Sequence, residues 1–268
     1  MNRIYSFSLF FSQDWFSIGK LDNIENRCKE NPLFNRMNKN LFLLWFQGFE
    51  NAPLPVKYCV DSWKHYNPQW KIHLLDDINL KQFIEVDISN ETIELCHKAD
   101  IVRGILLQTY GGLWVDATTF CHRPLDDWLP TNQPFFAFEK PAVDRLISNW
   151  FLYAEKGSYI MEKWSNATIA YYREHDRAHI FCIHHYLFND LYRDDPHFRH
   201  LWDHCPKFPA NGIGPHYLQE HGMFQPLTPA TKSDIDERKT PLYKLSHRYS
   251  YPSYDENLHV FYLFSTIT

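Results

Sequence analysis

Residues 41–48, LFLLWFQG, are apolar without a break until Gln47 and Gly48. A run of that length closed by a turn glycine reads as a buried strand, because a strand covered on both faces carries apolar residues at successive positions. Ala52-Pro53-Leu54-Pro55 then opens a helical pattern that reaches about His65. Asn67-Pro68 stops it, since the residue before a proline avoids the helical region. Residues 69–75, QWKIHLL, predict a second strand that ends at Asp76 and Asp77. From Lys98 the chain reads KADIVRGILLQTYGGLWVDATTFCHRP, which predicts a helix, a Gly111-Gly112 turn, a short apolar strand and an acid, Asp116, at that strand's C-terminal end. FFAFEK, residues 135–140, reads as another core strand. From about Asp144 to Leu201 the pattern predicts helices, with aromatics such as Trp150, Trp164, Tyr171 and Phe181 spaced to pack them together.

Strands alternating with helices predict an α/β domain, and ligands in open α/β sheets collect at the C-terminal ends of the strands. The acids at those ends, Asp76, Asp77 and Asp116, are therefore the first candidates for chemistry. Asp100 and Arg103 stand three residues apart on the helix before Asp116 and share a face. They are compatible with an ordinary helix ion pair or with part of the same site.

Length and composition change the picture little. A chain of 268 residues, 44% hydrophobic and 17% aromatic, is long enough to bury a large core and too apolar to be disordered. The first 40 residues are poorly periodic and read as a leader packing on a single domain over residues 41–268, with about 144–201 as its helical part. The 27 basic and 32 acidic residues leave a formal charge of −5, which offers no basic footprint for nucleic acid. No apolar run approaches the roughly 20 residues of a membrane span, and the N-terminus lacks a basic segment followed by a long apolar one. Six cysteines without a CxxC pair read as reduced thiols in a cytoplasmic protein. His179, Cys182, His184 and His185 crowd one stretch, but side chains that point around a helix axis make a poor tetrahedral zinc site.

The segment around Asp116 resembles the sugar-nucleotide site of retaining glycosyltransferases. The similar families are glycosyltransferase family 32, the bacterial capsular polysaccharide synthesis proteins and, more distantly, the large clostridial glucosylating toxins. Their pattern of S/A-D-I-x-R on a helix, followed by Y/I-G-G-x-Y/W-x-D-x-D/T, stands here as Ala99, Asp100, Ile101 and Arg103, then Tyr110, Gly111, Gly112, Trp114, Asp116 and Thr118. The D-A-T reading, with Thr118 in place of a second acid, is similar to the capsular group. Residues 52–63, with Cys59, Ser62 and Trp63, resemble the family's A-P-x-x-V-x-x-C-x-x-S-W helix, and Tyr243 to Arg248 resembles its late Y-K-L-T-H-K segment.

The resemblance implies a GT-A-type fold, a mixed and mostly parallel sheet with helices on both faces and a helical insertion on the acceptor side. It implies transfer of a sugar from a nucleoside-diphosphate donor to an oligosaccharide or lipid-linked glycan acceptor in capsular or surface polysaccharide synthesis, with retention at the anomeric carbon. The expected place, from the reduced thiols and the missing secretory signal, is the cytoplasm, with peripheral association at the inner face of the membrane as an option. Asp100, Arg103 and Asp116 would be the catalytic residues. Trp45, Gln47, Gly48, Asp76, Asp77, Gly111, Gly112, Gly214 of the NGIGP turn, Lys244 and Arg248 would bind the donor. A divalent metal, Mn²⁺ or Mg²⁺, would sit on Asp116, Thr118 and His247. Thr118 is a weaker ligand for a hard cation than a carboxylate, so the metal is expected to bind poorly until the donor phosphates arrive. A metal-dependent nucleotide-sugar hydrolase and a degenerate nucleotide-sugar-binding protein are the alternatives.

Overall fold

The computed structural model describes residues 38–130 and 133–268. The expected leader falls, up to residue 37, outside the described residues. The strands are β1 (Asn40–Leu44), β2 (Lys71–Leu75), β3 (Gly112–Val115), β4 (Thr119–Cys121), β5 (Phe135–Ala142), β6 (Arg145–Ala154), β7 (Lys207–Pro209) and β8 (Leu242–Lys244), and helices α1 (Leu54–Tyr66) and α2 (Leu95–Tyr110) alternate with β1, β2 and β3. The second half adds α3 (Tyr159–Glu174), α4 (Ile183–Asp194), α5 (Pro196–His204), α6 (Tyr217–His221), α7 (Pro229–Asp236) and α8 (His259–Ser265).

A six-stranded sheet has the order β2-β1-β3-β6-β5-β7. Pairings β1–β2, β1–β3 and β5–β7 are parallel, and only β6 runs against its neighbours. The sheet is thus mixed and mostly parallel, as expected. Its buried strands alternate in the layer they feed. Phe42, Leu44 and Trp114 pack under α2 and α3, whereas Leu41, Leu43, Leu113 and Val115 pack with Val60 and Trp63 of α1 on the other face. Helices therefore cover both faces, and the apolar run at 41–44 follows from a strand buried on both sides. A separate β4–β8 ladder joins a third cluster formed with α6, α7 and α8.

One expectation fails. Residues 145–154 are not helical but form the ten-residue strand β6, the antiparallel centre of the sheet. Ile147, Phe151, Leu152, Tyr153 and Ala154 are buried on both faces, and a fully buried strand loses the period-two signature that separates it from a buried helix. The helices begin only at Tyr159. No helix among the described residues is long and apolar enough to cross a membrane. Cys59, Cys96, Cys121, Cys182 and Cys205 are unpaired.

Candidate functional site

Asp116 emerges where β3 ends. Its N–H still bonds to the Trp150 carbonyl at 2.8 Å, continuing the pairing to β6, and its own carbonyl accepts the Thr119 N–H at 2.9 Å to close the Asp116-Ala117-Thr118 turn. The carboxylate therefore stands on rigid backbone at the C-terminal edge of the sheet. Asp116 Oδ1 accepts from Trp114 Nε1 at 3.0 Å and from Arg103 Nη2 at 3.3 Å, while Oδ2 faces Lys244 Nζ at 3.2 Å. Its side chain keeps 28% exposure, so one flank meets solvent.

Helix α2 supplies the groups behind it. Arg103 is only 4% exposed and spans both acids, with Nη1 at 3.0 Å from Asp100 Oδ1 and at 2.8 Å from the Asn149 carbonyl on β6. Its guanidinium also lies 5.2 Å from the centre of the Trp114 ring. A planar fork is required to serve two carboxylates and a carbonyl at once. Asp100 Oδ1 receives Asn149 Nδ2 at 3.0 Å and stands 3.2 Å from His184 Nδ1. All three contacts fall on Oδ1. The His184 ring stacks on Trp164 with centroids 4.0 Å apart, and the Trp164 Nε1–H donates to the His184 carbonyl at 2.8 Å.

Burial penalises the Asp100 carboxylate, but the His184 ring and the Arg103 guanidinium outweigh it and hold the pKa down to about 2. Burial also pushes the His184 imidazole below its ordinary range, so at neutral pH the ring is uncharged. The neutral tautomer that suits Asp100 carries its proton on Nδ1. Burial and the neighbouring His184 lower His185 to about 3.

The open flank is closed by the late basic segment. Strand β8 pairs with β4 so that Lys244 stands opposite Thr119, and the Leu245 N–H bonds to the Thr118 carbonyl at 2.8 Å. That register brings Lys244 Nζ to 2.6 Å from Thr118 Oγ1 as well as to Asp116. His247 meets the Trp45 ring edge-on at 5.0 Å, and Arg248 lies 5.7 Å over the exposed Phe181. Burial, then Arg248 and Lys244, lower the His247 pKa, so its imidazole is neutral rather than a third cation.

The fold thus gathers Asp100, Arg103, Asp116, Thr118 and Lys244 in one cluster, with Trp45 and His247 linked beside it. Trp45 follows the end of β1 and also packs on Ala117, Ala52 and Val56. Gln47, Gly48 and Asp77 line the same sheet edge, where the Asp77 N–H bonds to the Phe46 carbonyl at 3.2 Å. Four expected donor residues have places in the fold of their own. Asp76 Oδ1 caps a turn by accepting the Ile78 and Asn79 N–H groups at 2.9 and 2.8 Å. Gly111 and Gly112 lie at the opposite end of β3, roughly 13 Å of extended chain from Asp116. Their φ angles of 67° and 111°, with Asn40 O only 2.4 Å from where a Gly112 Cβ would fall, explain why glycine stands there. The Gly214 N–H closes its own turn on the Asn211 carbonyl at 3.1 Å and is not offered to a phosphate. Sequence reasoning did not assign Asn149 or His184 to the site. An isolated asparagine in an apolar run was the one signal for Asn149.

The cluster fits a divalent ion poorly. Asp116 carries a cation on each oxygen, Thr118 Oγ1 receives the Lys244 ammonium, and among the described residues the one group of three close metal-type donors is elsewhere, at Glu94, Cys96 and His97. An ion seated on Asp116 and Thr118 would have to displace Lys244 and would face the fixed Arg103 guanidinium behind Asp116.

A model of the capsular polysaccharide synthesis protein family matches residues 20–263. O-glycosyltransferase braB of Annulohypoxylon truncatum is 28% identical over 152 residues, 47% of this chain and 36% of that protein. O-glycosyltransferase PaGT of Phomopsis amygdali is 24% identical over 231 residues, 77% of this chain and 48% of that protein. The chain therefore spans between about a third and a half of the length of these two relatives. Among solved structures, the apo form of glycosyltransferase GlyE from Streptococcus pneumoniae TIGR4 superposes with a TM-score of 0.49 at 12% identity, covering 87% of this chain and 60% of that one.

Proposed function

The chain belongs to the capsular polysaccharide synthesis protein family, and from that premise we propose that it transfers a hexose from a nucleoside-diphosphate sugar to a hydroxyl of a glycan acceptor. The observation that carries the proposal is the Asp100–Arg103–Asp116 chain of contacts ending in Lys244 at the C-terminal edge of the sheet. Two buried charges on α2 fix a partly exposed carboxylate and a cation where a strand end opens to solvent, the place at which α/β sheets take their ligands. The relatives named as O-glycosyltransferases agree with a hydroxyl acceptor.

In this reading Trp45 and the Gln47-Gly48 turn hold the base end of the donor, and Asp116 receives a ribose or sugar hydroxyl. Asp100 Oδ2, clear of the contacts on Oδ1, accepts a second hydroxyl. Arg103 is a positioning residue, since it sits behind both acids. The nucleoside diphosphate leaves with charge growing on its oxygens, so fixed positive groups beside it favour the transition state over the ground state. The acceptor approaches past Phe181 and Arg248, where an exposed aromatic ring and a cation flank the cluster. Retention follows if the acceptor hydroxyl attacks on the face the diphosphate vacates, with no protein nucleophile. Capsular or other surface polysaccharide assembly at the inner face of the membrane is the setting this implies.

A panel of labelled nucleotide sugars, with and without glycan acceptors, tests the proposal. One donor should be hydrolysed slowly alone and turned over faster with the right acceptor, and the product should keep the donor's anomeric configuration by NMR. Cleavage indifferent to every acceptor would make the protein a hydrolase. Tight donor binding without release of nucleotide would make it a binding protein.

A further inference from the structure

The group that occupies the cation position at the Asp116-Ala117-Thr118 turn is part of the chain. Lys244 Nζ lies 2.6 Å from Thr118 Oγ1 and 3.2 Å from Asp116 Oδ2, and its side chain is 15% exposed, so it has an open side. An ammonium has three N–H donors, and these two contacts leave one for a ligand. The lysine is held there by its backbone. β8 pairs with β4 in register, the Lys244 N–H donates to the Pro215 carbonyl at 2.8 Å, and its carbonyl accepts Gln219 Nε2 at 3.0 Å. A cation fixed by three neighbours needs little reorganisation when charge develops beside it.

Charge and ligand type point the same way. The cluster contains two carboxylates, Asp100 and Asp116, and two cations, Arg103 and Lys244, and so is neutral before any ligand arrives. A divalent ion would find one carboxylate, Asp116, already engaged on both oxygens. Mg²⁺ and Mn²⁺ favour several hard oxygen ligands, often carboxylates. Thr118 suits an ammonium better. Its neutral hydroxyl accepts one N–H without cancelling the charge, whereas an acid at that position would neutralise Lys244 outright.

We infer that Lys244 stands in for the divalent ion: its ammonium binds the donor diphosphate directly, and sugar transfer by this chain needs no metal. This rests on the reading of the cluster as a nucleotide-sugar site. In the transfer, the bond between the anomeric carbon and the diphosphate oxygen breaks, and its electron pair goes to that oxygen. A bond forms between the anomeric carbon and the acceptor oxygen, whose proton passes to the departing diphosphate. Lys244 keeps its own proton throughout and stabilises the leaving oxygens as a hydrogen-bond donor and point charge. Arg248, exposed on the same segment, supplies a second and more mobile positive charge.

The experiment compares turnover of the active nucleotide sugar, and calorimetric binding of uridine and guanosine diphosphate, in chelator and in Mn²⁺. The unmodified chain should turn over equally within about twofold and bind its diphosphate in chelator. Lys244→Ala should lose about 10²-fold in turnover and at least tenfold in diphosphate affinity, with its melting temperature recorded alongside. Combining Thr118→Asp with Lys244→Ala opens the cation position and adds a carboxylate, so that double variant should recover turnover only when Mn²⁺ is supplied. Loss of turnover by the unmodified chain in chelator, restored by Mn²⁺, would overturn the inference and leave the donor site standing. That arm uses no variant, so a folding defect cannot obscure it. Failure to bind or cleave any donor in either condition would instead remove the donor reading and this inference with it.

Discussion

Arg103→Lys keeps the charge and removes the fork. A lysine ammonium at that position reaches one carboxylate and gives up the bridge from Asp100 to Asp116 and the Asn149 carbonyl, contacts made at 3.0, 3.3 and 2.8 Å. Breaking a buried ion pair costs about 3–5 kcal/mol when one partner is left bare. Here Asp100 keeps Asn149 and His184, so roughly 2–3 kcal/mol is the expected loss. The Asp100 pKa is held down by His184 first and Arg103 second, so only part of that depression is lost with the fork. For a domain of this size each kcal/mol is worth roughly 2–4 °C, so the melting temperature should fall by about 5–10 °C.

The sign of the pH dependence follows from the same shift. A folded pKa below the unfolded one adds stability that is fully present above about pH 4 and disappears as the pH falls toward about 2. In the lysine variant the Asp100 pKa moves back toward its ordinary value. The gap in melting temperature between the two proteins should therefore be full at neutral pH and shrink through that acid window. Turnover should drop about 10²-fold, because both acids lose their alignment. Differential scanning calorimetry across pH reads the first effect and steady-state kinetics the second. A gap under about 1 °C at neutral pH, with normal turnover, would refute the view of Arg103 as the buried link between the two acids.

Asp116→Asn is nearly isosteric and should leave the melting temperature within a few degrees while turnover falls about 10²-fold or more, as steady-state kinetics would show. Gly112→Ala places a Cβ 2.4 Å from the Asn40 carbonyl oxygen at a φ of 111°, so soluble yield and thermal stability should both collapse. Trp45→Ala removes the ring that meets His247 at 5.0 Å. Calorimetry should then show nucleoside-diphosphate affinity reduced about tenfold, the weight of one stacked base.

Local pattern carried much of the fold. The apolar run at β1, the proline stop after α1 and the Gly111-Gly112 turn each express a constraint inside a few neighbouring residues. β6 was illegible because it is the strand buried between β3 and β5, and burial on both faces erases the alternation that marks a strand. The site divides the same way. Asp100, Arg103 and Asp116 fall within one short segment and were readable together. Lys244 meets Thr118 only through the β4–β8 pairing across 126 residues, and Asn149 reaches Asp100 across 49, so no spacing in the sequence announces either contact. A glycine required for a tight turn and one required for close approach to a phosphate look alike without the backbone around them.

A crystal of the chain soaked with the nucleotide sugar that it turns over tests the central claim most directly. The account predicts density for the donor at the C-terminal edge of β3, with diphosphate oxygens within hydrogen-bond distance of Lys244 Nζ and the sugar turned toward Asp100 and Asp116. Donor density anywhere else on the protein, with the Asp116 and Lys244 contacts unchanged, would contradict it.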